Sequence, residues 1–320
     1  MPRLSLAFGP IYSRRLGWSL GVRNVPGKNC SYDCVYCQAG RTVRLTADRA
    51  AFYSPGVVAS DVEERLGEVE RRGGRVDYIS VVPEGEPTLD LRLGELLDLL
   101  RGLGRPVAVF TNSSLLWRRD VREDLSAADL VNVKVDAARA GTWRRVNRPH
   151  PLLGLGEVIG GLRAFASEYT GRLLAETMLV GGVDYGGELA EIAGIVASLN
   201  PEKAYVAVPV RPPAEPVEPP GEEDVLGLYR LLEERLGRGR VELLTGLPGV
   251  DMELLSDPGR DILEAAGVHP LRIGEAARLL EAAGANWGVV EELVRRGLLR
   301  RVVYRGEEFL VRRLTGKKVV

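Results

Sequence analysis

The chain has 320 residues, 45% of them hydrophobic and 27% charged, with a formal net charge of −1. That length suits a barrel-sized domain plus an appendage, and the balance excludes disordered, collagenous and membrane-embedded classes. No apolar run approaches a membrane span and the N-terminus lacks a signal-peptide pattern, so no membrane association and a cytoplasmic location are expected.

Residues 8–22 read as a glycine-punctuated loop feeding a short strand over Ser19–Arg23. Arg14 and Arg15 in that loop are candidate substrate-binding residues that would grip a phosphate or carboxylate, a solvated turn being the competing reading. Pro26-Gly27-Lys28 ends the strand, and the chain then reaches Cys30, Cys34 and Cys37, its only cysteines. Three clustered thiolates point to a metal or cluster site, because a disulfide framework needs pairs. Structural zinc wants a fourth protein ligand, which is missing here. A [4Fe–4S] cluster on three thiolates leaves one iron open for a small molecule. The alternatives are three small hydrophobes in a core, or a non-catalytic iron–sulfur or zinc protein.

Downstream, a helix is expected over Ser60–Arg72, with Ser60 as N-cap and Glu63 completing a capping box. A strand over Tyr78–Val82 runs into Pro83-Glu84-Gly85-Glu86-Pro87-Thr88. Helix Leu91–Leu103 and strand Pro106–Thr111 follow, ending in Asn112-Ser113-Ser114. A helix around Arg118–Leu125 leads to strand Leu130–Val135. Lys134 and Asp136 share one parity there, opposite to Val133 and Val135, which aims the pair into a barrel interior. Helix Gly154–Tyr169, strand Arg172–Val180 with the unusual Glu176, helix Gly187–Leu199 and strand Lys203–Val208 complete six strand-then-helix units. Such alternation predicts an α/β fold, a partial (β/α)6 TIM-like barrel. Residues 209–220 hold too much proline for helix or ladder and are expected to form a stiff loop at the barrel mouth, with Arg211 a candidate substrate grip. Helix Glu222–Gly237 packs back, and Val241–Leu244 adds a short strand.

From about Asp257 the texture changes to short helices over Gly259–Ala266, Ile273–Ala283 and Trp287–Arg296, then a hairpin across Arg305-Gly306. That is a winged-helix-like pattern. The expected domains are therefore 1–245 for the barrel, 246–256 for a linker and 257–320 for the winged-helix-like domain. Between residues 291 and 318 nine basic side chains face four acidic ones, a local balance of about +5. A basic third helix and wing suit a phosphate backbone, and docking of protein is the competing reading.

The CxxxCxxC motif, with aromatic Tyr36 before its last cysteine, resembles that of the radical S-adenosylmethionine (radical SAM) enzymes. Gly85-Glu86-Pro87 after the second strand resembles the same superfamily's glycine-rich motif. The resemblance covers roughly residues 8–215. It implies that Cys30, Cys34 and Cys37 ligate a [4Fe–4S] cluster whose open iron chelates the methionine part of S-adenosylmethionine. Reduction then gives a 5′-deoxyadenosyl radical, with an electron donor such as a ferredoxin or flavodoxin as partner. Tyr36, Gly85, Glu86, Asn112, Ser113 and Asp136 become cofactor-binding candidates. From their place on the fourth strand Lys134 and Asp136 are the catalytic candidates, Asp136 contacting the ribose hydroxyls and Lys134 holding a substrate anion or donating a proton, with an ion pair inside the barrel as the competing reading. Within the superfamily the chain looks most like a group similar to the wyosine-forming tRNA synthases and, more distantly, the molybdenum-cofactor cyclases. Both carry additional cysteines that this chain lacks, so neither activity transfers. A tRNA or other nucleic-acid base is the first substrate expectation, a peptide or protein docked by the C-terminal domain the second.

Overall fold

The computed structural model describes residues 5–246, 252, 254, 255 and 257–313. Lys317, Lys318 and most of the expected linker lie outside them. Residues 8–18 are not a loop. Strands β1 (Ala7–Ser13) and β2 (Gly17–Val22) form an antiparallel hairpin whose register shifts between Phe8 and Ile11. Gly21 makes this possible, because a β-carbon there would occupy the space of the Phe8 ring. The short strands β3 (Asn29–Cys30) and β4 (Arg44–Leu45) then pair in parallel across the cysteine loop.

Helix α1 (Pro55–Arg71) begins five residues before the expected start, so Ser60 is internal and forms no cap. Proline at the first position is the stronger start signal, since its fixed φ suits a helix and its missing N–H would have been unpaired there. Next come β5 (Tyr78–Val81), α2 (Leu93–Arg101), β6 (Val107–Phe110), α3 (Arg119–Leu125) and β7 (Leu130–Lys134). An additional helix, α4 (Ala140–Val146), precedes α5 (Leu155–Glu168). The barrel region is completed by β8 (Arg172–Met178), α6 (Glu188–Ser198), β9 (Lys203–Ala207), α7 (Glu222–Leu236) and β10 (Val241–Leu244).

One sheet runs β1-β2-β5-β6-β7-β8-β9-β10, parallel throughout except for the antiparallel β1. This is the partial barrel with a seventh parallel strand. Alternation divides each strand between two cores. Val107, Val109, Val131, Val133, Ala175 and Val206 pack under the helices. Ala108, Leu130, Leu174 and Tyr205 fill the interior. The Lys134 parity therefore belongs to the interior set.

Helices α8 (Pro258–Val268), α9 (Ile273–Ala282) and α10 (Gly288–Arg295) carry a sheet of β11 (Leu271–Arg272), β12 (Leu299–Tyr304) and β13 (Glu307–Arg312), ordered β11-β13-β12. This is the winged-helix-like subdomain. It packs on the barrel along two flanks, one formed by β1 and α1 and the other by the loop after β9. On the first flank Phe8 and Ile11 share a core with Ile262, Ala266 and Leu310, and Arg65 pairs with buried Asp261 at 2.6 Å. On the other, Arg211 donates to the Pro270 carbonyl at 2.5 Å, and the Tyr304 hydroxyl donates to the Pro209 and Val217 carbonyls at 3.3 and 3.2 Å.

Candidate active site

The loops after β2, β5, β6, β7 and β8 converge at the carboxyl end of the sheet. This is where parallel barrels gather functional groups. The cysteine loop is held by its neighbours' backbones. Val35 N–H donates to the Val146 carbonyl at 2.9 Å and Asp33 N–H to Asn147 at 3.0 Å, both at the end of α4. Glu86 N–H donates to the Asn29 carbonyl at 3.0 Å. Gly85 lies so close to Asn29 that any β-carbon would overlap that carbonyl. Its lack of a side chain lets the β5 loop lie against the residue preceding Cys30.

Cys30 and Cys34 are buried and Cys37 half-buried, and all three are free thiols. Burial pushes the Cys30 thiol up to about 12 and Cys34 to about 11. Thiolates here need compensating positive charge, which bound iron would supply. Asn112 Nδ2 donates to Cys30 Sγ and Asn147 Nδ2 to Cys34 Sγ, each at 3.5 Å. Among the described residues no three His, Cys, Asp or Glu side chains are gathered closely enough to hold a single ion. A cluster asks less convergence, because each thiolate binds its own iron. The donor set thus fits a three-cysteine cluster.

The Glu86 carboxylate is 2% exposed and caps its own loop. One oxygen accepts from Thr88 N–H (3.2 Å), Thr88 Oγ1 (2.6 Å) and Thr111 Oγ1 (2.6 Å), the other from Asn112 N–H (2.7 Å). Burial outweighs these donors and raises the carboxyl above its ordinary value. Asn112 is thereby fixed, and its Nδ2 also donates to Ser31 Oγ at 2.9 Å. Ser113 has φ +70° and is fully buried, and its Oγ accepts from Lys134 N–H at 2.8 Å.

Asp136, 5% exposed, ties three elements together. Oδ1 accepts from Met178 N–H at 2.9 Å, while Oδ2 accepts from Asn147 Nδ2 at 2.7 Å and from the Tyr36 hydroxyl. Lys134 Nζ lies 4.6 Å from the Tyr36 ring centroid and donates to Glu176 Oε1 at 3.1 Å. Desolvation alone would lower the Lys134 ammonium, but the Asp136 and Glu176 carboxylates outweigh it and hold it raised. The same balance reversed, with Arg15 and Lys134 as the cations, takes Glu176 down to about 2.

Arg14 and Arg15 sit in the β1–β2 turn, at the end of the strands remote from the cysteine loop. Arg14 is exposed there and is not brought to the site. Arg15 reaches into the barrel, where its guanidinium pairs with Glu176 and lies 5.3 Å from the Tyr205 ring. Arg211 faces the C-terminal domain, 3.6 Å from Glu275. Lys134, Asp136, Tyr36, Gly85, Glu86 and Asn112 do come together around the cysteines, while the Ser113 hydroxyl is engaged on the Lys134 backbone. Two further neighbours were not signalled by any motif, Asn147 on the unforeseen α4 and Lys28 beneath the cysteine loop. A cavity of about 260 Å³ opens beside that loop, walled by Val35, Val146, Val180 and Val217 with Arg145 and Arg148 at its rim. Among the described residues no helix is long and apolar enough to cross a membrane.

Residues 24–183 match the model of the radical SAM superfamily. A UPF0026 protein of Methanocaldococcus jannaschii is 39% identical over 98% of both chains. Among solved structures, TYW1 with a lysine-pyruvate adduct bound has a TM-score of 0.51 at 16% identity, covering 69% of this chain and 75% of that one. Streptococcus suis SuiB bound to its precursor peptide SuiA has a TM-score of 0.50 at 16% identity, covering 71% and 48%. At such identities both likenesses concern the fold. The family match falls on the segment that builds the convergent site, from the cysteine loop to the end of β8, and the chain belongs to the radical SAM superfamily.

Proposed function

We propose that this enzyme binds one [4Fe–4S] cluster through Cys30, Cys34 and Cys37 and uses it to cleave S-adenosylmethionine reductively. The observation that carries the reading is the trio of otherwise unemployed thiols at the carboxyl end of the sheet, two of them receiving amide donors. When bound, the cluster and S-adenosylmethionine together supply a 5′-deoxyadenosyl radical. The chain's own task is to bind, aim and exclude. The Gly85-Glu86 backbone and Asn112 border the place for the methionine part, while Tyr36, Ser113 and Asp136 border the adenosyl part. The cavity at Val35, lined by valines together with Arg145, Arg148 and Glu215, has room for a flat heterocycle. Lys134, charged and anchored on Glu176, holds an anionic group or donates a proton. A ferredoxin or flavodoxin supplies the electron. A cytoplasmic location suits unpaired thiols and an oxygen-sensitive cluster.

The test is anaerobic reconstitution with iron and sulfide, then dithionite and S-adenosylmethionine, with 5′-deoxyadenosine read by chromatography. Production that disappears in Cys30→Ala, Cys34→Ala and Cys37→Ala is expected. Cluster-loaded protein that does not bind S-adenosylmethionine would overturn the reading.

For the substrate we favour a nucleic-acid base, as in tRNA. Arg296, Arg300 and Arg305 are exposed on the end of α10 and the wing, a surface suited to phosphates. Arg312 is not part of that surface, being committed to Glu84. Replacing Arg295, Arg296, Arg300 and Arg301 by Glu is expected to abolish salt-sensitive RNA binding and to spare cofactor cleavage. Unchanged RNA affinity would favour the second reading, a peptide substrate, which the fold likeness to peptide-bound SuiB supports.

A further inference from the structure

Lys28 is 2% exposed, and its Nζ donates to the Gly40 carbonyl at 2.5 Å. Gly40 closes the turn after Cys37, its N–H donating to the Cys37 carbonyl at 3.1 Å. The ammonium thus lies against the cysteine loop, two residues before Cys30 and bonded to the turn that follows Cys37. Among the described residues it makes no ion pair with a carboxylate, although the fold pairs most of its other buried cations, such as Arg23, Arg49 and Arg65. A buried charge without a counter-ion is costly. The negative charge missing from its surroundings is what three thiolates on a cluster bring. Asn112 at Cys30 and Asn147 at Cys34 add an amide donor to each of two sulfurs, while Lys28 holds the turn beyond the third cysteine.

We infer that Lys28 is an electrostatic positioning residue for the cluster, its buried ammonium favouring the reduced state, with Asn112 and Asn147 assisting through the Cys30 and Cys34 sulfurs. The inference rests on the cluster reading above. Its physical basis is that cluster potentials follow net charge and hydrogen bonds to sulfur. A positive charge at fixed short distance stabilises the added electron, so its removal makes the cluster harder to reduce.

The experiment is a redox titration of the reconstituted protein, followed by electron paramagnetic resonance of the reduced cluster. Lys28→Met, Lys28→Gln and Lys28→Arg are compared with wild type at matched iron and sulfide content. Met and Gln both remove the charge, Gln keeps a donor, and Arg keeps both. At a fixed applied potential the reduced-to-oxidised ratio is expected to fall about tenfold in Met and Gln, equivalent to about 59 mV for one electron. Arg should stay within about twofold of wild type. Equal ratios in all variants would overturn the inference, as would an Arg variant that moves as far as Met, which marks a role in loop packing alone. Should the Lys28 variants fail to fold, Asn147→Leu is expected to shift the ratio in the same direction by a smaller factor, and no shift there overturns the assisting role. Wild-type protein that assembles no cluster sinks the cluster reading itself, a separate outcome.

Discussion

Arg312, in the last strand of the C-terminal domain, and Arg23, just beyond β2, donate to the same oxygen of Glu84, each at 2.9 Å. Glu84 immediately precedes Gly85-Glu86, so the C-terminal domain is tied to the residue next to the proposed cofactor loop. Burial alone would raise the Glu84 carboxyl, but the two guanidinium groups outweigh it and hold it low. Removing one member of a buried ion pair costs about 3–5 kcal/mol because the remaining charge is stranded. Glu84→Gln is expected to lose stability on that scale in urea denaturation. A depressed carboxyl contributes stability above its unfolded value and loses it as pH falls through the folded one. The gap between wild type and variant should therefore close only below the ordinary glutamate range. A gap that stays constant into strong acid would contradict the pairing.

His269 closes α8 and is half-buried between the C-terminal domain and the barrel. Burial first, then the charges of Arg211 and Arg15, push its imidazole down to about 4 from 6.5. The folded protein holds this ring neutral while the unfolded chain protonates it. Stability from this residue is thus complete above about pH 6.5 and is lost as pH falls toward 4. His269→Gln is expected to flatten the fall of the melting temperature between those values, by an amount equivalent to roughly 1–3 kcal/mol. Parallel melting curves for variant and wild type would refute this.

Gly85 predicts a defect in assembly. A methyl group at that position must displace the Asn29 carbonyl, and Asn29 adjoins Cys30. Gly85→Ala is expected to fold, because the sheet beneath is untouched, yet to take up at most about a tenth of the wild-type iron. Full iron content would show that the two loops yield independently.

Asp136 predicts the opposite profile. Its two oxygens receive three donors from three elements. An amide in its place presents an N–H to at least one of them and loosens both Tyr36 and Asn147. Asp136→Asn is expected to retain most of its iron and to bind S-adenosylmethionine at least tenfold more weakly by calorimetry. Unaltered affinity together with unaltered iron would remove Asp136 from the cofactor site.

Much of the barrel was legible because each parallel strand carries its own alternation. Val131 and Val133 against Leu130 and Lys134 reveal two faces without reference to any other segment. The hairpin at β1 was hidden by Gly9 and Pro10, which read as loop but sit at a register shift. The Ser60-to-Glu63 spacing imitates a capping box inside a helix that Pro55 had already started. Asn147 had no local signature, because its place beside Cys34 depends on a seven-residue helix following β7. Glu86 shows a finer limit. Its motif marked the position, but Thr88 and Thr111 as the donors to its carboxylate emerge only from the fold.

The C-terminal domain acts on the barrel as a hoop acts on staves. Arg65 and Asp261 fasten it at one flank, Arg211 and the Pro270 carbonyl at the other. With α1 and the loop after β9 both fastened to this one domain, a shift of the domain must disturb both holds at once.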